Sequence, residues 1–317
     1  SRRQRQMCIR DRYKGALQMK RNLWDIEMIA KIEQGRQDGA ILNGYLFSFN
    51  HNGRCVVYET KQFQNLERST AKVFSEFVLD RCEGITPHSN SVAFGNEFFS
   101  ADDEFPLLYT NIYNNYANSD CNMKGVCLVY RLQRNGSNFF STLVQIIEIG
   151  FTEDENYWKS SKEDVRPYGN FTIDRENGIF YAFTMRDSYN TTRYFAFDLP
   201  KVETGAMCEK YNVKKVTLNI SDIRDFFDCE YQNFVQGACC HDGKIYSLEG
   251  FSDDVSNPPA MRIIDTRLKK ELALINFSDF GLNDEPEMIE FENDICYYAD
   301  HNGNVYNLHP NCSLIAE

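Results

Sequence analysis

The sequence predicts an all-β fold assembled from a repeated unit of four short strands. One copy of the unit covers residues 236–277. Asp242-Gly243 is a two-residue hairpin turn signal with strand-forming residues on both sides, because glycine accepts the positive φ that such turns require. Two further strand-like segments follow at 260–266 and 271–277. Four antiparallel strands in succession are typical of one blade of a β-propeller.

The same unit recurs along the chain. Its copies begin near Gln37, His88, Tyr168, Gln236 and Glu285, at spacings of roughly 50 to 80 residues. Propeller blades are about 40 to 50 residues long, and insertions in the second and third copies account for the extra length. The sequence therefore predicts a single propeller of five four-stranded blades. Six blades are the alternative if the interval 88–168 contains one more.

The two ends of the repeat region complement each other. The fifth copy has three strands before the chain stops, whereas residues 23–30 read as a strand that belongs to no earlier copy. In closed propellers one chain end commonly completes the last blade, which removes two exposed sheet edges. We therefore expect the N-terminal strand to close the last blade of a domain that covers residues 22–310.

The first 12 residues differ in composition from the propeller region. The segment 1–12 contains five arginines and no apolar run of the kind a signal peptide needs. Its amino-acid sequence resembles that of translated sequencing-adapter tails. We interpret it as a non-native or disordered tail outside the propeller.

The motifs of the repeat also carry a family resemblance. Gln236-Gly237, Asp242-Gly243-Lys244-Ile245-Tyr246 and Glu285-Pro286-Glu287 followed by Tyr297 are similar to blade motifs of the β-propeller superfamily. The glutamate-proline-glutamate segment resembles one found in several solute- or glycan-associated propellers. The WD, kelch and NHL consensus sequences are not met, and the catalytic motifs of five-bladed glycosidases and nucleotidases are absent. The resemblance thus implies the fold and no particular mechanism.

Charge and hydrophobicity restrict the partners. The net charge is −12, and basic residues do not cluster outside the first residues, so nucleic acid is not an expected partner. No run approaches the roughly 18 apolar residues of a membrane helix. We expect a monomer without nucleic-acid or membrane partners.

The cysteines bear on cofactors and compartment. The eleven cysteines form no CxxC pair and no spacing with histidine that is typical of zinc sites, so neither a metal nor another cofactor is predicted. Buried free thiols and an odd count favour a reducing, cytoplasmic compartment. Six N-glycosylation sequons point the other way, towards secretion. They are centred on Asn135, Asn170, Asn190, Asn219, Asn276 and Asn311.

A set of polar residues occupies equivalent positions at the start of the first strand of each copy. Because first strands line the channel of a propeller, these side chains converge at one end of it and predict a shallow site for a polar ligand. The predicted ligand-binding residues, here called the polar ring, are Gln37, His88, Asn90, Arg166, Tyr168, Asn170, Gln236, Glu285 and Glu287. The competing interpretation is that they bond blade backbones and channel water.

Three members of the polar ring are candidate catalytic residues. Glu285 and Glu287 lie two positions apart, so both carboxylates point to one face of a strand, and their repulsion could raise the pKa of one of them. A glycosidase also needs a carboxylate on the far side of the scissile bond, for which Asp38 is the candidate. His88 could act as a general base, although no nucleophile accompanies it.

Three functions are compatible with this pattern. The preferred one is a non-enzymatic binding propeller that holds a small polar molecule, such as a saccharide, at the polar ring. The alternatives are a glycan-acting hydrolase with Glu285 or Glu287 as acid/base, and a protein-interaction platform that uses aromatic residues of the segment 109–116.

Overall fold

In the computed structural model the described residues are 24–64, 70–81, 85, 87–112, 126–150, 170–185, 191–230, 232 and 234–310. Arg166, Tyr168 and the segment 1–12 lie outside them. Within these ranges, 22 strands form five sheets, and the helices are single 3₁₀ turns of three to five residues. Of the helices in these ranges, none has the length and apolar character that a membrane crossing requires.

The strands follow the predicted order of blades. Strand β1 is Trp24–Lys31, and blade 1 contains β2 Gly39–Leu42, β3 Tyr45–Phe49, β4 Arg54–Glu59 and β5 Ser75–Val78. Blade 2 contains β6 Val92–Phe94, β7 Leu108–Asn111, β8 Val126–Asn135 and β9 Asn138–Ile149. Blade 3 contains β10 Asn170–Asp174, β11 Ile179–Met185 and β12 Thr191–Asp198, then the inserted strands β13 Ala206–Cys208 and β14 Val213–Leu218, and finally β15 Ile223–Glu230. Blade 4 contains β16 Val235–His241, β17 Lys244–Glu249, β18 Ala260–Asp265 and β19 Lys270–Asn276, and blade 5 contains β20 Pro286–Glu292, β21 Ile295–Asp300 and β22 Asn304–Pro310.

The sheets form a closed ring. The first strand of each blade, here called its inner strand, contacts the inner strands of both neighbouring blades, in the cyclic order β2, β6, β10, β16, β20. Strand β1 pairs antiparallel with β22 and gives blade 5 its fourth strand. The structure is therefore a five-bladed β-propeller closed by the N-terminal strand, which confirms the predicted fold class. The alternative of six blades is wrong, because the interval 88–168 supplies a single blade.

Blade 2 carries two strands beyond the predicted four. The segment between β12 and β15 leaves blade 3, and β14 pairs in parallel with β9 at the outer edge of blade 2. Strand β13 then pairs with β14. The insertion thus covers an edge that would otherwise present unpaired backbone groups to solvent.

The hydrophobic core is divided among the contacts between neighbouring blades. Side chains alternate between the two faces of a strand, so each blade contributes to two clusters. In β3, Phe47 packs into the cluster between blades 1 and 2, while Leu46 packs into the cluster between blades 5 and 1. The first of these is aromatic, with Phe47 in edge contact with Phe94 at a centroid distance of 5.4 Å. This packing fixes the positions of the inner strands around the channel.

Two further predictions about the blades can be compared with the structure. The Asp242-Gly243 turn forms as expected, with φ of 48° and 66° at its two residues. The described cysteines are free, and Cys55, Cys127, Cys229, Cys239 and Cys296 are buried. Asn170, the centre of one sequon, is buried on an inner strand, where a glycan has no room.

Candidate functional site

The inner strands begin at one face of the propeller, here called the top face, and two of them begin with a β-bulge. The register of β16 shifts between Val235 and Gly237, and that of β20 shifts between Pro286 and Met288. The extra residues are Gln236 and Glu287. A bulge redirects the side chain of its extra residue, so the backbone itself positions these two polar groups.

Each of the two carboxylates at the top face is held by a glutamine from another blade. Gln37 Nε2 donates to Glu287 Oε1 at 3.2 Å, and Gln236 Nε2 donates to Glu285 Oε1 at 2.6 Å. Gln236 Nε2 also donates to the carbonyl oxygen of Gly250 at 3.1 Å. Gln37, Gln236, Glu285 and Glu287 are thus brought together from blades 1, 4 and 5, as their equivalent sequence positions predicted.

A histidine that the sequence analysis did not single out completes this group. His301 follows β21, and its backbone N–H donates to the carbonyl oxygen of Glu285 at 2.8 Å. Its Nδ1 lies 3.0 Å from Glu287 Oε1, and the side chain is 55% exposed, whereas that of Glu287 is 2% exposed. Gln37, Gln236, Glu285, Glu287 and His301 are here called the carboxylate site.

The electrostatics of the carboxylate site follow from burial and like charge. Burial raises the pKa of Glu287 to about 7, and the nearby charge of Glu285 adds to this effect while His301 opposes it. Burial also raises the pKa of Glu285. The hydrogen bond to Glu287 raises the pKa of His301. The site is therefore an acidic patch in which one buried carboxylate faces a partly exposed imidazole.

The carboxylate site has an unused acceptor. Glu287 Oε2 is buried and has no hydrogen-bond partner among the described residues, although a buried carboxylate oxygen normally accepts at least one hydrogen bond. Three possible metal ligands lie within 4.8 Å of one another, namely one carboxylate oxygen each of Glu285 and Glu287 and one imidazole nitrogen of His301. These residues could together hold a metal ion. The arrangement can accept hydrogen bonds from a donor-rich ligand or bind a cation.

The other described members of the predicted polar ring contact residues of their own or neighbouring blades. Asn111 Nδ2 donates to Asn90 Oδ1 at 2.7 Å. Asn170 accepts from Ser91 Oγ at 3.3 Å and donates to the carbonyl oxygen of Val235 at 3.2 Å, which ties blades 2, 3 and 4 together. His88 is partly buried, with its ring 6.5 Å from that of His51. Ligand roles for these three residues remain predictions.

Asp38, the proposed opposing carboxylate, is used structurally. It is 1% exposed, and its two oxygens accept hydrogen bonds from the backbone N–H groups of Gly39 and Val92, both at 2.8 Å. It therefore links blade 1 to blade 2. Burial raises its pKa well above the usual range, and the charges of Glu290 and Glu287 raise it further. Because Asp38 is buried within these contacts, it does not reach an open surface where it could flank a substrate.

The inner strands end at the opposite face of the propeller, which contains a cavity of about 390 Å³. Arg175, His241 and Glu290 are among its lining residues. The ring of His241 stacks on that of Phe291 at a centroid distance of 4.2 Å. Burial raises the pKa of Glu290 to about 7, although the charge of Arg175 acts in the opposite direction. This cavity is lined by residues outside the predicted polar ring.

Glu290→Gln is expected to stabilise the protein in a pH-dependent way. A carboxyl whose pKa is about 7 in the folded state and 4.5 when unfolded costs stability above pH 7, and the cost disappears as the pH falls towards 4.5. We expect the variant to exceed wild type by about 1 to 3 kcal/mol at pH 8 and to match it near pH 4.5. Urea unfolding at both pH values measures the difference. The same difference between variant and wild type at the two pH values would contradict this account. Glu176→Gln removes a carboxylate from an exposed position in the same cavity and is the control.

The topology and the site together define the class of the protein. It is a five-bladed β-propeller with an acidic site at the top face of its channel. No protein-family model matches the chain, and no curated protein matches it in sequence.

Several solved structures resemble the chain in shape. The glutaminyl cyclase of Myxococcus xanthus shares 9% identity, covers 89% of this chain and 98% of its own, and has a TM-score of 0.47. The computationally designed Ika8 protein shares 8% identity over 90% of this chain and 99% of its own, with a TM-score of 0.35. Hydrazine synthase of Kuenenia stuttgartiensis shares 8% identity over 86% of this chain and 56% of its own, with a TM-score of 0.35. Likenesses this distant say nothing about activity.

Proposed function

We propose that the chain is a binding propeller that holds a small polar ligand, a saccharide, at the carboxylate site. The observation that carries the proposal is the Oε2 atom of the buried Glu287, to which none of the described residues donates a hydrogen bond. A buried carboxylate oxygen without a donor is costly, and a ligand hydroxyl that donates to it relieves that cost. Glu285 and His301 are partly exposed and leave the site open to a ligand.

Saccharide hydroxyls suit the donors and acceptors of this site. Glu285 and Glu287 offer acceptor oxygens, and hydrogen bonds to charged acceptors are the stronger kind. The exposed imidazole of His301 adds a ring nitrogen and an apolar edge. Carboxylates fixed by Gln37 and Gln236 also need no reordering on binding, which favours affinity.

Binding is favoured over glycan hydrolysis because of where the carboxylates lie. A glycosidase places two carboxyl groups on opposite sides of the scissile bond. Glu285 and Glu287 come from the same end of one blade, and Asp38 is buried, with hydrogen bonds to two backbone N–H groups. The alternative of a protein-interaction platform is weakened because Tyr109 is fully buried in β7 and cannot contact a partner. Residues 113–116 of the same segment lie outside the described residues.

A saccharide binding screen tests the proposal. A glycan array and a panel of free sugars are measured against wild type, the double variant Glu285→Gln/Glu287→Gln, and Glu290→Gln as a matched control on the same strand. We expect the double variant to lose about 10- to 100-fold in affinity, because each lost charged hydrogen bond is worth about 1.5 to 3 kcal/mol. Equal binding by the double variant and wild type would remove the carboxylate site from the function. Absence of any binding by wild type would overturn the saccharide assignment.

The cytoplasmic compartment is also part of this proposal. The buried free cysteines support it, because such thiols persist in reducing surroundings.

A further inference from the structure

We infer that Glu285, Glu287 and His301 bind a divalent first-row transition metal ion. Nothing in the pattern of cysteines and histidines along the sequence indicated a metal site, since the three ligands come from two segments that meet only in the folded blade. In a second step, which rests on the proposed function, the bound ion binds the hydroxyls of the saccharide.

The donor atoms are close to the spacing that such an ion requires. Ions of this class bind nitrogen and oxygen at about 2.0 to 2.2 Å, which places neighbouring ligand atoms about 3 to 3.5 Å apart. His301 Nδ1 and Glu287 Oε1 are already 3.0 Å apart, and the whole set lies within 4.8 Å. The remaining contraction therefore concerns Glu285, whose partly exposed side chain can move towards the other two ligands without a change of the backbone.

The buried Glu287 supplies an independent reason for a cation. Its side chain is 98% buried, and within the part of the chain that the structure describes Oε2 has no hydrogen-bond partner. Among the described residues, no lysine or arginine forms an ion pair with Glu285 or Glu287, and the only ion pair of Glu287 there is with His301. A metal ion would neutralise both carboxylates and use the free oxygen.

The residues around the ligands are arranged as in a metal site. Gln37 donates to Oε1 of Glu287 and Gln236 donates to Oε1 of Glu285, so these hydrogen bonds leave the second oxygen of each carboxylate available to an ion. Hydrogen bonds of this kind orient ligands and tune metal affinity. The two glutamines therefore act as positioning residues behind the ligands.

The donor set also selects the class of ion. Ca²⁺ and Mg²⁺ prefer oxygen ligands alone, whereas an imidazole nitrogen together with carboxylates suits Zn²⁺ and Mn²⁺. Three protein ligands leave at least one coordination position open, as in catalytic and ligand-binding zinc sites. His301 is exposed and Glu285 is partly exposed, so a ligand could reach the ion from solvent.

Metal titration of the full chain tests the inference. After chelator treatment and dialysis, binding of MnCl₂ is followed by electron paramagnetic resonance and binding of ZnCl₂ by calorimetry, with MgCl₂ and CaCl₂ as comparisons. Mn²⁺ avoids the cysteine thiols, which bind Zn²⁺ without any designed site. We expect one Mn²⁺ per chain, with Mg²⁺ and Ca²⁺ at least tenfold weaker. Wild type that binds no Mn²⁺ at 1:1 stoichiometry overturns the inference.

Variants then assign the ion to its ligands. Glu287→Gln and His301→Ala are each expected to weaken Mn²⁺ binding by on the order of 100-fold, and Gln37→Ala by about tenfold. Glu290→Gln should bind like wild type. His301→Ala alters an exposed side chain, so it remains informative if Glu287→Gln impairs folding, which a thermal melt will show. Unchanged binding by His301→Ala would place the ion elsewhere and overturn the inference.

The saccharide assay, run with and without Mn²⁺, separates this inference from the proposed function. Saccharide binding that survives chelation but is lost in Glu285→Gln/Glu287→Gln would support the proposed function and overturn the metal-mediated step. One Mn²⁺ per chain with no saccharide binding would support the metal site and overturn the proposed function.

Discussion

Removal of residues 1–32 is expected to abolish cooperative folding, whereas removal of residues 1–21 is expected to leave it intact. The longer deletion takes away β1, which pairs with β22 through seven residue pairs. It also removes Trp24, Ile29, Ala30 and Ile32, all of which are buried. The shorter deletion retains every described residue of the propeller and tests whether the domain begins at residue 22.

The size of this effect follows from the core that β1 completes. Burying a large apolar side chain contributes about 1.5 to 3 kcal/mol, so Trp24, Ile29 and Ile32 together approach the total stability of about 5 to 15 kcal/mol that is usual for a domain. Without β1, the edge of β22 would also be unpaired and prone to aggregate. Circular dichroism, thermal melting and size-exclusion chromatography of both deletions measure the outcome.

A complementation experiment separates loss of the strand from an indirect effect of truncation. A synthetic peptide of residues 22–32 added to the longer deletion should restore a cooperative melt, because β1 is the end strand of its sheet and pairs there with β22. If the longer deletion melted within a few degrees of the shorter one, β1 would not close the ring in solution.

Arg262→Ala is expected to cost about 3 to 5 kcal/mol of unfolding free energy, the amount typical of breaking a buried ion pair. Arg262 lies on β18 and is 4% exposed. Its Nη2 donates to Glu249 Oε1 at 2.7 Å, and its Nη1 contacts a carboxylate oxygen of Glu271. Alanine would remove the guanidinium that pairs with the buried carboxylate of Glu249. Urea unfolding at pH 7 measures the change.

The matched control is an arginine with similar bonding at the surface. Arg134 makes a two-bond contact with Glu104 at 2.8 and 2.9 Å, but it is exposed to solvent. Arg134→Ala should therefore cost less than about 1 kcal/mol. Equal costs for the two variants would mean that burial does not strengthen the Arg262 network. The triple variant Arg262→Met/Glu249→Gln/Glu271→Gln should recover most of the loss, since the one charge of the network that it retains, Glu230, is exposed to solvent.

The propeller could be predicted because the sequence patterns that specify its strands and turns are local and recur in every blade. Turn residues such as Asp242-Gly243 and the alternation of strands mark each hairpin, and five copies reinforce one another. The pairing of β14 with β9 could not be predicted in the same way. It is parallel, joins segments from different blades and depends on an insertion whose partner no local pattern identifies.

The candidate site was predictable only where residues share a position in the repeat. Gln37, Gln236, Glu285 and Glu287 were found because equivalent positions converge on the channel. His301 follows the second strand of blade 5 and lies outside those positions, and its His-Asn-Gly context reads as an ordinary turn. The pairing of Pro286 with Asp300 places His301 beside Glu287. A correct prediction of this hairpin register from the sequence would therefore have identified His301 as part of the site.

The parallel pairing of β14 with β9 also has a consequence for synthesis of the chain. When β9 leaves the ribosome, its outer edge has no partner, and it stays unpaired until Val213–Leu218 emerges after most of blade 3. Exposed strand edges are where nascent chains misassociate. The nascent chain is therefore expected to depend most on chaperones between the translation of β9 and that of β14. Slow codons in this interval would be expected to lower the yield of native protein.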